Sequence, residues 1–244
     1  MKGEDLAGCF TGTLQHFAGT LHAGGTAPRL HSERLLDPSS LRELIERFGA
    51  ANPDGEPRAV VSMWTQWHFA AVIVPSVVAT LLGRVHLPVA LGRATLALHE
   101  NGCTAGVVIS PGQLLDPSPA EGRFDELIED HVAVLIDRLA GPFSVSQKLL
   151  WNNAAASLAW TVQQCAALAG VDRPALAEAQ AMLTSPHAKG GGRNFLHDTL
   201  RPSPLTPLDQ CQRRICCLRY LLPGVADCGS YCPLPAQARA RRSA

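Results

Sequence analysis

The sequence predicts a mainly helical protein with a small antiparallel β-sheet and a cysteine-rich C-terminal segment. Three observations carry that expectation. Apolar residues recur at helical spacing on both sides of a short alternating stretch between Arg84 and Ile109. That stretch contains Asn101-Gly102, a hairpin signal. Five of the eight cysteines, Cys211, Cys216, Cys217, Cys228 and Cys232, fall in the last 34 of 244 residues.

Composition bounds the function. Apolar residues are 46% and charged residues 17% of the chain, with 21 Lys+Arg against 21 Asp+Glu, so neither disorder nor polyanion binding is the expected class. Met1-Lys-Gly-Glu-Asp lacks the basic and apolar regions of a secretory signal. The expected compartment is the reducing cytoplasm, where clustered cysteines serve metal or redox chemistry rather than disulfides. The longest apolar run, residues 69–82, is too short to span a bilayer and contains Pro75, so it reads as a buried helix and no transmembrane span is expected.

Along the chain, a short helix is expected around residues 14–21. Ser39 or Ser40 can cap a helix LRELIERFG, with Leu41, Leu44 and Phe48 on one face and its stop at Gly49. After the turn residues ANPDGEP, residues 58–83 predict a long buried helix, kinked or broken near Pro75. Val85, Leu87, Val89 and Leu91 share one face of a candidate strand, and TLALHE and CTAGVVI flank Asn101-Gly102, where a two-residue hairpin turn needs positive φ at both residues. PGQLLDPSPAEG is a loop. Two helices follow, one striped by Phe124, Ile128, Val132, Leu135 and Leu139, the next by Trp151, Ala155, Leu158, Val162, Cys165 and Ala169. A further helix over 174–183 precedes the connector SPHAKGGGRN.

The chemistry concentrates in the tail. Folding the loop 218–227 gathers Cys216, Cys217, Cys228 and Cys232, with Pro223-Gly224 available to turn it. Thiolates suit Zn²⁺ or iron–sulfur clusters. Zinc sites usually use separated C-x₂₋₄-C pairs, and an adjacent Cys-Cys does not make that knuckle easily. Residues 211–244 carry Arg213, Arg214, Arg219, Arg239, Arg241 and Arg242 against Asp227 alone, a net charge of +5. Cations near a cluster stabilise its reduced state and can hold an anionic substrate. For Arg239, Arg241 and Arg242 a solvated terminus is the expected role.

Elsewhere the signals are structural. Cys165 sits on an apolar stripe and Cys103 in the hairpin, so both read as core. Trp64, Trp67 and His68 read first as packing and second as a ligand groove, and Asn153 as a cap or a bridge to the tail. Lys189-Gly-Gly-Gly-Arg193 lacks the spacing of a phosphate-binding loop, and GxSxG and GxGxxG fingerprints are absent from the sequence, so an electron donor must come from outside.

The tail RRICCLRYLLPG…CGSYCPL, with LLWNNAAASLAW at residues 149–160, resembles the ferric-siderophore reductases (FhuF-like proteins): an adjacent Cys pair, about ten residues and a closing Cys pair, after a Trp-x-Asn helix. The resemblance covers about residues 58–235. It implies an α+β fold with a C-terminal cysteine-rich iron–sulfur segment, in which Cys216, Cys217, Cys228 and Cys232 hold one [2Fe–2S] cluster. It also implies one-electron reduction of chelated Fe³⁺ to release Fe²⁺, with a ferric siderophore, hydroxamates among the candidates, as substrate. Arg213, Arg214 and Arg219 are then the candidate substrate-binding residues, and an external electron donor, a protein or a reduced flavin, reloads the cluster. Nucleic acid is not an expected partner. The implied location is cytoplasmic, with a peripheral place at the inner membrane as the variant. A non-catalytic iron–sulfur or zinc-binding sensor is the alternative. The implied division is an N-terminal helical region (1–57), an α+β core (58–205), the 2Fe–2S segment (206–235) and a basic tail (236–244). One departure is visible: three residues separate Cys228 from Cys232 where the family pattern has two, which makes Cys211 a candidate substitute ligand.

Overall fold

A computed structural model describes residues 1–24, 27–202, 211–226 and 228–234. The predicted basic tail, with Arg239, Arg241 and Arg242, lies outside the described residues, as does Asp227 in the cysteine loop.

The centre of the fold is α2 (Pro57–Val78), which packs on α4 (Gln147–Ala166) and on one strand of a four-stranded sheet. Helix α1 (Pro38–Ala50) precedes it and packs on it. The cap of α1 is Asp37 rather than Ser39 or Ser40: with Pro38 at the first helical position, the Asp37 carboxylate accepts from the Ser40 N–H at 2.8 Å and from both serine hydroxyls at 2.6 and 2.7 Å. Those hydrogen bonds hold its carboxyl well below the usual range.

Helix α2 is long and apolar enough to cross a membrane by length and composition, but most of it is buried inside this fold. It runs through Pro75 without a break; the departure comes one turn later, as a π turn over Ala79–Gly83 that closes on left-handed Arg84. The Ser76 hydroxyl donates to the Val72 carbonyl and the Thr80 hydroxyl to that of Ser76, so side chains supply donors along the turn that proline weakens.

The sheet has the order β1-β4-β3-β2. The predicted hairpin is β3 (Thr95–Leu98) and β4 (Thr104–Val108). Its turn differs from the expected one: only Gly102 takes positive φ (81°), the Gly102 N–H returns to the His99 carbonyl at 3.0 Å, and a bulge follows, which is a three-residue loop. The first 57 residues complete the sheet. The expected helix at 14–21 is a 3₁₀ segment, Gly12–Thr20, that leads into β1 (Leu21–His22), parallel to β4, while β2 (Arg29–His31) pairs antiparallel with β3. Gly106 permits this approach, since a Cβ there would sit 2.1 Å from the Thr20 carbonyl oxygen.

Val85, Leu87 and Val89 are buried as their alternation predicted, but the segment forms no strand beyond an isolated bridge from Val85 to Pro117, and half-buried Leu91 opens a turn. The segment's donors go elsewhere. The Glu126 carboxylate accepts from the N–H groups of Val89 and Ala90 at 2.7 and 2.8 Å, and Asp116 takes that of His86. The helix striped by Phe124 to Leu139 begins as a π segment, Glu126–Ala133, and continues as α3 (Val134–Ala140). In α4 the stripe is buried through Cys165, whereas Ala169 falls beyond the helix end and is exposed. Helix α5 (Arg173–Thr184) is close to the expected span.

Two histidines that the sequence did not connect meet in the core. His68 Nε2 lies 2.8 Å from His131 Nε2, His68 Nδ1 accepts from the Thr104 hydroxyl at 2.7 Å, and His131 Nδ1 donates to the Val89 carbonyl. Trp64 stacks on His68 with ring centroids 5.1 Å apart and gives its indole N–H to the Gly102 carbonyl, so both residues pack rather than line a groove. Trp67, 41% exposed, rests edge-on against Phe48. Burial pushes both imidazoles down, His131 to about 4, so both are neutral. An unfolded histidine takes a proton near pH 6.5 and the folded His131 only near 4. The unfolded state therefore binds more protons between those values, and stability falls as pH drops through that window. We expect protonation of His131 alone to remove about 3 kcal/mol of stability between pH 7 and pH 4. Urea unfolding at several pH values should show this loss in the native protein and a shallower one in a His68→Phe/His131→Leu double variant; equal slopes would contradict it.

Candidate functional site

The C-terminal segment is anchored before it reaches its cysteines. Strand β6 (Cys211–Arg213) pairs antiparallel with β5 (Leu200–Pro202), and alternation along β6 sends successive side chains opposite ways. Gln212 donates to the Cys232 carbonyl at 2.6 Å and accepts from Arg201, tying the strand to the end of the cysteine loop.

Arg213 turns inward. Only 6% exposed, it donates from Nη1 to Asn153 Oδ1 at 2.6 Å and from Nη2 to Gln66 Oε1 at 3.4 Å, while its Nε is buried without a hydrogen-bond partner. Asn153 is the bridge the sequence suggested. Its amide also donates to Ser62 and Thr65 of α2 at 3.1 Å, and its neighbour Asn152 donates to the Thr199 carbonyl. The Ser62 hydroxyl in turn holds the Cys217 carbonyl at 2.7 Å. The Trp-Asn-Asn helix and the cysteine tail are therefore one hydrogen-bonded unit.

Past Arg213 the chain presents Cys216 and Cys217 and then reverses. Leu218 takes left-handed φ (64°), an uncommon conformation for a non-glycine residue, and its N–H points at Cys216 Sγ at 3.4 Å. Pro223-Gly224 makes the expected turn: Gly224 has φ 75° and the Val225 N–H returns to the Leu222 carbonyl. Leu222 packs so closely on the α1–α2 turn that a Cβ on Gly55 would lie 2.6 Å from it. The extra residue between Cys228 and Cys232 is absorbed by a single 3₁₀ turn, Gly229–Tyr231, with the Cys232 N–H bonded to the Gly229 carbonyl.

Two of the four thiols meet here. Cys217 Sγ and Cys228 Sγ share a hydrogen bond at 3.7 Å, far beyond a disulfide length. Cys232 lies within electrostatic reach of both Cys216 and Cys228. Cys211 instead neighbours Tyr231. Among the described residues no three His, Cys, Asp or Glu side chains converge on a single ion. The Cys217–Cys228 hydrogen bond, with Arg213 and Arg219 beside it, draws the Cys217 thiol down, and the same hydrogen bond together with burial pushes Cys228 up. Burial raises Cys216 to about 11, and Cys103 and Cys165, deep in the core, to about 12.

The candidate substrate arginines have different surroundings. Arg214 faces outward and pairs with Asp198 at 2.7 Å. Arg219 is half-buried and its Nε contacts Met63 Sδ at 3.4 Å. Arg213 and Arg219, with Cys228 and Tyr231, border an open groove of about 470 Å³.

The donor set fits a thiolate-bound metal group. Two thiolates on one tetrahedral ion, each about 2.3 Å from it, are about 3.8 Å apart, and the Cys217–Cys228 pair stands at 3.7 Å. A buried guanidinium with an orphaned N–H and neutral amide partners also suits a nearby anion, which a cluster with four thiolate ligands supplies.

Comparison with known proteins agrees with this chemistry. A structure of ATP-bound aerobactin synthetase from Klebsiella pneumoniae matches the fold with a TM-score of 0.53 and 12% identity, over 70% of this chain and 37% of that one; the likeness concerns fold alone. The ferric siderophore reductase of Escherichia coli (strain K12) is 26% identical over 178 residues, 71% of this chain and 65% of the relative, so the match leaves about a third of that relative uncovered. The family described as ferric iron reductase FhuF-like transporter matches residues 62–210, and the FhuF 2Fe-2S C-terminal domain matches residues 213–234. With more than half of its length in the first match and its cysteine loop in the second, the chain belongs to the FhuF-like ferric iron reductase family and carries that family's 2Fe–2S domain.

Proposed function

We propose that this protein is a cytoplasmic ferric-siderophore reductase whose [2Fe–2S] cluster is held by Cys216, Cys217, Cys228 and Cys232. The observation that carries this reading is the thiol pair at 3.7 Å beside buried Arg213, at the edge of an open groove. When bound, a [2Fe–2S] centre supplies one electron at a time, the stoichiometry of converting Fe³⁺ to Fe²⁺. The chain's own residues do the rest. Arg213 offsets the negative charge of the thiolates from inside the core, Leu218 N–H and Ser62 fix the Cys216–Cys217 corner, and Cys228 presents the site to the groove. The substrate chemistry follows from ligand hardness: oxygen-donor chelators such as hydroxamates grip Fe³⁺ more strongly than Fe²⁺, so reduction releases the metal. The electron donor is external, a protein or a reduced flavin. A functional division near residue 206, separating the 2Fe–2S segment from the core, belongs to the same reading and is supported by the two family matches meeting between residues 210 and 213.

The test is anaerobic. Chemically reduced protein mixed with a ferric trihydroxamate and a ferrous trap should be reoxidised with one Fe²⁺ trapped per cluster. A reduced protein that stays reduced through hydroxamate, catecholate and citrate chelates of Fe³⁺ would overturn the reductase and favour the sensor.

A further inference from the structure

We infer that the groove beside Cys228 is the docking site for the ferric chelate, and that it recognises its ligand with an aromatic wall, Phe17 and Trp160, facing a cationic one, Arg213 and Arg219. This rests on the reductase reading above and names the part of the chain that would choose the substrate. The groove's volume, about 470 Å³, lies in the range of small-molecule sites. Two other cavities differ from it in chemistry. One is lined by Asp125, Glu129 and Glu178 and the other by Glu46, and neither has a cysteine in its wall, whereas no carboxylate lines the groove among the described residues.

The aromatic wall comes from distant parts of the chain. Phe17 sits on the 3₁₀ segment Gly12–Thr20 and Trp160 on α4, with ring centroids 5.3 Å apart and planes tilted by 53°. Both are half-buried, so each keeps ring surface for a ligand's apolar arms. The Thr13 hydroxyl donates to Gln164, which pins the segment to α4. Phe17 lies outside the residues that the family model matches, and it gives the N-terminal region a place in the site.

Both arginines of the cationic wall have partners in the core helices. Arg213 is clamped by Asn153 and Gln66, with Nε still lacking a partner, and the contact with Met63 orients Arg219 on α2. Guanidinium groups match the fork geometry of paired anionic oxygens, which are the donors of a hydroxamate, catecholate or citrate chelate. Cys228 and Tyr231 also line the groove, so a chelate seated there stands against a proposed cluster ligand.

The test uses the gallium(III) complex of a neutral cyclic trihydroxamate, which has the size and donors of the ferric complex but accepts no electron. Binding to the oxidised holoprotein is read by calorimetry. Trp160→Ala and Arg219→Ala should each raise the Kd about tenfold. Trp160→Phe, which restores an aromatic wall, and Trp67→Ala, outside the groove, should bind within about twofold of the native protein. The visible spectrum of the cluster checks that each variant is folded and loaded. Native protein that binds the gallium complex and releases Fe²⁺ from the ferric one, with Trp160→Ala and Arg219→Ala binding equally well, would overturn the groove and leave the reductase standing. Binding that depends on Trp160 and Arg219 without any Fe²⁺ release would retain the groove and overturn the reductase. Failure of the native protein to bind the gallium complex at concentrations where it reduces the ferric one would also overturn the groove.

Discussion

Serine in place of any one of Cys216, Cys217, Cys228 or Cys232 is expected to abolish or strongly shift the visible absorption of the protein and to lower its content of iron and acid-labile sulfide from about two of each per chain. Serine in place of Cys103 or Cys165 should leave both unchanged. Those two thiols are fully buried in the apolar core, where burial holds them protonated. Cys211→Ser is the informative variant. Cys211 lies within electrostatic reach of Tyr231, and the three residues before Cys232 form one 3₁₀ turn, so on the proposed four-cysteine ligation Cys211 is dispensable. The Cys211→Ser protein should keep its colour. A bleached Cys211→Ser protein beside a coloured Cys228→Ser protein would reverse the assignment, and stoichiometric zinc without sulfide would replace the cluster altogether.

Neutralising Arg213 is expected to lower the reduction potential of the cluster by an amount on the order of 90 mV. Adding an electron to an already negative centre is opposed by its charge, and a fixed buried cation offsets that cost. A unit charge about 8 Å from another is worth about 2 kcal/mol at an effective dielectric near 20, and a tenfold change in a one-electron couple is 59 mV. Arg213 is buried, and its amide partners Asn153 and Gln66 carry no charge to cancel its own. Arg213→Gln keeps a side chain that can hydrogen-bond, and Arg213→Lys keeps the charge. A redox titration should place Arg213→Gln well below the native value and Arg213→Lys close to it. Arg214→Gln, at the surface and already paired with Asp198, should move the potential by far less, because solvent screens exposed charges. Equal potentials in the native protein and Arg213→Gln would contradict the assignment.

Much of the fold is written in local pattern. The stripe Leu41, Leu44 and Phe48, the apolar run of α2 and the stripe of α4 each report burial through spacing alone, so their helices are where the period places them. The hairpin at Asn101-Gly102 and the turn at Pro223-Gly224 are equally local, since each depends on one glycine's freedom at positive φ. Strand β1, by contrast, is two residues long and carries no period, and it pairs with β4 only because Gly106 lets the chain approach. Residues 85–91 alternate like a strand, yet Glu126 and Asp116 accept backbone donors that a neighbouring strand would have used.

The same boundary divides the candidate site. Residue type and short spacing alone gave the cysteine-rich tail, the positive charge beside it and Asn153 as a bridge to it, because those readings need no knowledge of distant contacts. Only the tertiary structure decided that Arg213 is the buried cation and Arg214 the surface one, since adjacent arginines look alike until β6 turns one inward. It alone joined His68 to His131 and Phe17 to Trp160, pairs drawn from distant segments. Helical and strand periods record which face of an element is buried, but not which distant element covers it; that choice is made when packed side chains and buried hydrogen-bond donors find their partners.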